Sequence, residues 1–230
     1  VGMVEVVRIE IGKKNLKRAL DFLSALRSEA LFEAGNGKLR SKVVDAANVA
    51  MGEVEVIANV EGSGKFGLDV DNVAKRITKL DDEILVEISS GKAQFKSGRK
   101  RYSAPVIPEE YFKPLKDINI DFETKIVVLG AEFSDIVTSA KGISDYVLFD
   151  GNKIVVGSNA TEQMVLELED ENVGNSRAAY SSNYLELVAK TVNKNDTVEI
   201  EYSTDKPCRI TVIGDDILMK AIIATRIIEE

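Results

Sequence analysis

One order of apolar patterning runs through this chain twice, and that repetition limits the fold more than any single motif does. "VEVVRIEI" (4–11) alternates with period two and reads as a strand, and residues 15–28 set Leu16, Ala19, Leu20, Leu23 and Leu26 on one helical stripe. Strand-like segments follow at 29–34, 38–45, 49–60 and 65–70. A second helix, "DNVAKRITKL" (71–80), turns Val73, Ile77 and Leu80 inward, and strands resume at "EILVEI" and "AQFKSGRKRYSAPV". From residue 124 the order returns: "TKIVVLG" as strand, "AEFSDIVTSAKGISD" as helix, a set of strands over 146–169, "SNYLELVAKTVNK" as helix, and closing strands from Thr197. An ungapped shift of 112 lays Val73 and Leu80 on Leu185 and Val192, and Val86-Glu87-Ile88 on Val198-Glu199-Ile200. The expected class is α+β, built from two copies of one unit; coincidental alternation is the competing explanation. Between the copies, "IPEEYFKPLKDINIDF" (107–122) holds Pro108 and Pro114, which withhold backbone donors and favour an extended path. The expected division is a domain over 1–106, a connector over 107–122 and a domain over 123–230.

A chain of 230 residues with 44% hydrophobic composition can bury a core in each copy. No apolar run approaches the ~18 residues that a bilayer span requires, and no basic stretch followed by an apolar run opens the sequence. A soluble, intracellular protein is the expectation. A single cysteine, Cys208, leaves no disulfide framework and no multi-thiolate metal site. With no histidine either, most acid–base, nucleophile and zinc constellations are removed. "GSGKFG" (62–67) fits G-x-G-x-x-G formally, but it lies between two strands with no helix opening directly after it, so it reads as a crossover. Carboxylates are abundant, yet no spacing marks a metal or cofactor site. The chain is therefore expected not to be an enzyme.

The formal net charge is -8, but the charge is segregated. Residues 13–28 carry Lys13, Lys14, Lys17, Arg18 and Arg27 against Asp21, and 71–80 carry Lys75, Arg76 and Lys79 against Asp71. Residues 131–145 are net -2 and 182–194, with Lys190 and Lys194 against Glu186, net +1. The four expected helices sum to +5, leaving -13 for everything else. At 100° per residue, Lys14, Lys17 and Arg18 face away from the leucine stripe, and Lys75 and Lys79 face away from Val73 and Ile77. Cations at a helix N-terminus oppose the peptide dipole, so their presence at 13–18 calls for a reason outside that helix. A solvated helix face is one reading. The other is a groove or ring lined by basic helices and backed by acidic sheets.

These stretches resemble a known family. "LKRALDFLSALRSEA" and "LRSKVVDAANVAM" (39–51) are similar to the first helix and the following segment of archaeal proliferating cell nuclear antigen, the DNA sliding clamp. "FSDIVTSAKGISD" keeps the Phe-to-Asp spacing of that family's third helix, "YSTDKPCRITV" resembles its proline-bearing turn, and "MKAIIATRI" its final strand. The resemblance runs over essentially the whole chain, in order.

It implies duplicated clamp domains, each with two helices packed on antiparallel sheets, assembling as a trimer into a pseudo-sixfold ring around duplex DNA. Cationic helices facing phosphate read no sequence, so such a ring slides. For three identical chains the expected helices would bring +15 to the hole. Carried over by position, Lys13, Lys14, Lys17, Arg18, Lys75, Arg76, Lys79 and Lys190 are the DNA-binding candidates, while the acidic third helix leaves Lys141 without a clear role. DNA polymerase, clamp loader, ligase and flap nuclease would bind through short hydrophobic peptides. The matching pocket positions are Val44, Ile118, Ile120, Pro207, Ile222, Ala224 and Thr225, with domain core as the alternative for Val44. Thr225 stands where the family has proline and Ile222 where tyrosine is common. Subunit contacts would join "GRKRYSA" (98–104), with Arg99, Arg101 and Tyr102, to "NVGNSRAAY" (172–180), with Ser176, Arg177 and Ala178, on the next chain. Asp135 and Asp145 are candidate acids for those arginines. The resemblance places the protein on the nucleoid in an archaeal cytoplasm, or in a nucleus if the source is eukaryotic. Two alternatives stay open: a protein-interaction module that encircles nothing, and a small-ligand enzyme on a duplicated scaffold.

Overall fold

The computed structural model describes residues 6–170 and 173–228. The expected strand start at residues 4 and 5, and Asn172 of the expected contact segment, fall outside them. In chain order β1 (Val7–Gly12) leads into α1 (Lys13–Ser24), followed by β2 (Glu29–Gly35), β3 (Lys38–Val44), β4 (Ala50–Ile57), β5 (Asn59–Glu61), β6 (Gly64–Asp69), α2 (Val70–Ile77), β7 (Glu83–Ser89), β8 (Lys92–Ser97) and β9 (Lys100–Pro105). Then come a short 3-10 turn, Glu109–Tyr111, and an extended segment. The order is then retraced by β10 (Thr124–Leu129), α3 (Gly130–Thr138), β11 (Tyr146–Asp150), β12 (Lys153–Gly157), β13 (Gln163–Glu167), β14 (Arg177–Ser181), α4 (Ser182–Ala189), β15 (Thr197–Tyr202), β16 (Cys208–Gly214) and β17 (Ile217–Ile223).

Two compact units result. One comprises Val1–Ala46, Gly52–Lys116 and Asp216–Met219, the other Ala47–Met51, Asp117–Asp215 and Lys220–Glu230. In the first, an antiparallel sheet runs β5-β1-β7-β8-β9 and a second runs β6-β2-β3-β4. In the second, β10-β15-β16-β17 and β13-β12-β11-β14 are the counterparts. Alternation places Val7, Ile9 and Ile11 inside while Arg8 and Glu10 face out, and it places Ile126 and Val128 inside while Lys125, Val127 and Leu129 face out. Helix α1 packs on α2 within the first unit, and α3 on α4 within the second. Leu16, Leu20, Leu23, Val73 and Ile77 are buried in the first unit, and Phe133, Ile136, Leu185 and Val188 in the second.

The helices are shorter than the periodicity predicts. Each ends where a hydroxyl bonds back to the carbonyl three residues earlier: Ser24 to Asp21, Thr78 to Lys75, Ser139 to Ile136 and Thr191 to Val188. A side chain that takes a carbonyl this way competes with the helical ladder. Arg27, Lys79, Lys141, Lys190 and Lys194 consequently lie beyond the helices they were counted in. The repeat register also needs correction. Ile9 pairs with Val86, and its counterpart Ile126 pairs with Ile200, so Val86 corresponds to Ile200, two residues beyond the ungapped shift. A two-residue slip leaves a period-two pattern in phase, so the sequence pattern does not reveal it. The expected strand over 49–60 is broken at Ala58, whose N–H donates to Gly37 O, and its last part becomes β5.

Candidate nucleic-acid interface

Helix α1 begins without an acidic residue in its first turn and without a side-chain cap at Gly12. The Lys13 ammonium instead donates to Leu80 O at 2.7 Å, and the Lys13 N–H donates to Asp82 O. Leu80 closes the turn after α2, so the Lys13 charge sits at the negative end of that helix dipole. Part of the N-terminal cluster therefore has a reason within the unit. Lys17 reaches both oxygens of Asp21, at 2.6 and 2.7 Å, one helical turn on.

Arg18 requires a correction. It was expected on the outward face with Lys14 and Lys17, yet it is only 9% exposed. Phe22, one turn further along the same side, is also buried, and a side chain at Gly52 would lie 2.9 Å from its ring, so α1 is covered on two sides. Lys14, Lys75, Arg76 and Lys79 are exposed, and among the described residues none of them is in an ion pair. They project from α1, from the last turn of α2 and from the turn just after it, where cations complement the dipole. Helix α2 starts cleanly, with Asp69 Oδ1 accepting from Asn72 N at 3.0 Å.

The second unit's helices differ in charge. Within its bounds α3 carries Glu132 and Asp135 and no cation, and α4 carries only Glu186. Glu132 Oε1 accepts from Leu129 N at 3.2 Å, an N-terminal capping role. Lys190 follows α4, 3.9 Å from Glu186 and mostly exposed. The basic surface thus belongs to α1 and α2, and the +5 expected from four helices does not hold for the helices as they form.

Of the expected pocket positions, Ile222 is half-buried on the face of β17 opposite Ala221 and Ile223, and Ala224 and Thr225 follow it directly. Ala224 N donates to Val49 O, and Thr225 Oγ1 donates to Ala179 O at 3.4 Å. Pro207 is half-buried in the turn before β16, next to Lys206, whose carbonyl accepts from the Tyr180 hydroxyl at 2.6 Å. Ile118 is exposed and Ile120 half-buried in the extended segment. Val44, at the end of β3, is half-buried in the first unit.

The expected subunit contacts divide. Arg99 and Arg101 are exposed at the open edge of the five-stranded sheet. Tyr102 on β9 stacks on Phe95 at 5.5 Å, accepts from Asn72 Nδ2, and has its phenol pushed up by burial. In the opposite segment two of the three candidates are turned inward. Ser176 is buried and shares a 2.8 Å hydrogen bond with Thr124, and Ala178 is buried. The outer side of β14 is covered by the C-terminal stretch, where Arg226 N donates to Ala179 O. Arg177 is exposed and lies 3.8 Å from Asp150. Asp145 is held by Arg226 of the same chain, and Lys100 by Asp81 at 2.9 Å. Among the described residues the uncovered edge of this sheet is β13, with Met164 and Val165 exposed. The apolar "QMVLE" was the sequence signal for it, hidden in a longer strand-like run.

The duplicated unit, with a helix pair over antiparallel sheets, defines a clamp-type α+β protein. Comparison with known proteins agrees. A DNA polymerase sliding clamp of Archaeoglobus fulgidus is 27% identical over 248 aligned residues, covering 99% of this chain and 100% of that one. One from Methanothrix thermoacetophila is 24% identical, covering 98% and 100%. Among solved structures, A. fulgidus PCNA bound to the C-terminal region of FEN-1 superposes with TM-score 0.88 at 25% identity, covering 97% of this chain and 100% of that one. PCNA from Thermococcus kodakaraensis shares the fold, with TM-score 0.81 at 18% identity, covering 96% and 100%. No family profile matches the chain. Along its whole length the chain is related to archaeal proliferating cell nuclear antigen, the DNA polymerase sliding clamp family.

Proposed function

We propose that this chain is a subunit of a DNA sliding clamp: a processivity factor that closes as a trimer around duplex DNA, without sequence specificity, and tethers replication and repair enzymes by short hydrophobic peptides. It acts as a scaffold and catalyses nothing itself. The observation that carries this reading is the full-length match in fold and sequence to a PCNA bound to the C-terminal region of FEN-1. Lys14, Lys75, Arg76 and Lys79 are the principal phosphate contacts, with Lys13, Lys17 and Lys190 secondary because each has a partner in its own unit. Ile118, Ile120, Pro207, Ile222, Ala224 and Thr225 receive partner peptides, whose apolar anchors supply most of their affinity. Ring closure joins the open edge of β9 on one copy to that of β13 on the next, which protects two edges that would otherwise invite uncontrolled pairing. The domains are 1–106 and 123–230 with the connector over 107–122, and the site of action is the nucleoid in an archaeal cytoplasm, or the nucleus in a eukaryote.

Topological retention tests the function. Rings allowed to thread onto linear duplex, whose ends are then blocked with streptavidin, are expected to stay bound at salt that abolishes lysine–phosphate contacts, and to leave when the duplex is cut. Loss at high salt regardless of blocked ends would show adhesion without encirclement.

A further inference from the structure

The duplication allows one unit to show what the other lacks. In the first unit β1 is flanked on its outer side by β5, with Arg8 opposite Glu61, Ile9 opposite Val60 and Glu10 opposite Asn59. Side chains reinforce the pairing: Arg8 lies 4.0 Å from Glu61, and Asn59 Nδ2 donates to Glu10 Oε2 at 3.3 Å. In the second unit the counterpart of β1 is β10, and among the described residues no strand lies beyond it. The connection that would supply one touches β10 at its first residue, through Ser176 and Thr124. The outward residues have changed as well. Lys125 stands where Arg8 does, whereas Val127 replaces Glu10 and Leu129 replaces Gly12. Val127 is 51% exposed and Leu129 56%. At Leu129 the outward N–H is taken by Glu132, which closes that end of the edge; an edge with no strand beyond it and apolar outward side chains is a template for strand addition.

We infer that the open edge of β10 is a docking site for a short extended segment of a partner protein, added antiparallel as β5 is added to β1. The register of β5 sets the chemistry of that segment. Its acidic residue faces Lys125, which also lies 3.3 Å from Glu199 on β15, as Glu61 faces Arg8. The preceding residue faces Ile126 and points inward, as the half-buried Val60 does. The residue before that is apolar and covers Val127, and an apolar residue two positions earlier covers Leu129. The residue between these two faces the inward Val128, so the pattern is apolar, small, apolar, apolar, acidic. This site is formed by β10 alone and does not depend on ring closure.

The probe is an acetylated, amidated peptide "EVIAVVEG", a copy of residues 55–62 with Asn59→Val. Added to the 15N-labelled full chain, it is expected to shift backbone amides at 124–129 and their β15 neighbours. Val127→Glu, at an exposed position that leaves the fold intact by circular dichroism, is expected to weaken binding at least about fivefold, and Lys125→Glu about threefold, from lost cross-strand pairing. Lys125→Glu should then prefer the peptide with Glu61→Lys. Shifts elsewhere, no shift up to the peptide's solubility limit, or a Val127→Glu chain that binds unchanged would overturn the proposal. So would slow hydrogen exchange at amides 125 and 127 without peptide, since these two face away from β15 and the lane would already be filled by another segment of the chain or by a second copy.

Discussion

Lys14, Lys75 and Lys79 differ from Lys13 and Lys17 in having no partner among the described residues, and a cation free of local neutralisation contributes most to phosphate contact. Replacing any of the three with Ala is expected to lower the slope of log affinity against log salt by about one for each copy in the ring whose lysine touches phosphate, read by anisotropy with labelled duplex, whereas Lys17→Ala changes it little. Gly130 is constrained by close approach: a Cβ there would lie 2.0 Å from Asn193 O and 2.8 Å from Val192. Gly130→Ala is expected to cost on the order of 2 kcal/mol in urea unfolding, because backbone must move to admit the methyl. Burial pushes up the Tyr180 and Tyr202 phenols and the Cys208 thiol. An unfolded chain releases those protons first, from near the ordinary values of 10.0 and 9.0. Their contribution to stability is therefore complete at neutral pH and is lost as pH rises past that range. Alkaline melts should show this loss, and Tyr202→Phe, which keeps the buried ring, should flatten it at the expense of the hydrogen bond to Gly151 O.

At the scale of elements, the two edges of the second unit's four-stranded sheet have different standing. β14 is covered by the C-terminal stretch through Ala179 and Arg226, while among the described residues no strand covers the outer edge of β13. Val165→Lys is expected to shift the chain from trimer to monomer in sedimentation velocity, and Arg177→Ala to leave the trimer in place. The existence and order of the helices and most strands were legible because Leu16, Leu20 and Leu23, or Ile9 and Ile11, keep one face apolar at a fixed period. Their ends were not, because a serine or threonine that stops a helix by bonding backward looks the same in sequence as one that rides along it. That β13 and not β14 forms the open edge was not legible for a related reason. Burial of Ser176 comes from Thr124, 52 residues away, and no local pattern carries that contact. The burial of Arg18 was not legible because the sequence marks only the leucine stripe, whereas α1 is covered on two sides.

Over the whole molecule, residues 1–116 hold 20 basic and 17 acidic side chains, and residues 117–230 hold 10 and 21. The free helical cations follow that division: they belong to α1 and α2 of the first unit, while α3 and α4 of the second carry acids. The duplication itself was legible because each unit repeats the same sequence of alternations; the two-residue slip at β7 and β15 was not, since it preserves the period. Candidate phosphate contacts on α2 could be read from the sequence because exposure there follows helical phase, whereas the pairing of Lys13 with Leu80 depends on how two helix ends meet. Closure of three copies into a ring is the claim on which the functional account rests, and sedimentation equilibrium at low and high salt tests it most directly. A mass of three times 25.2 kDa in both is the expected result, and a monomer at every concentration and salt would contradict it.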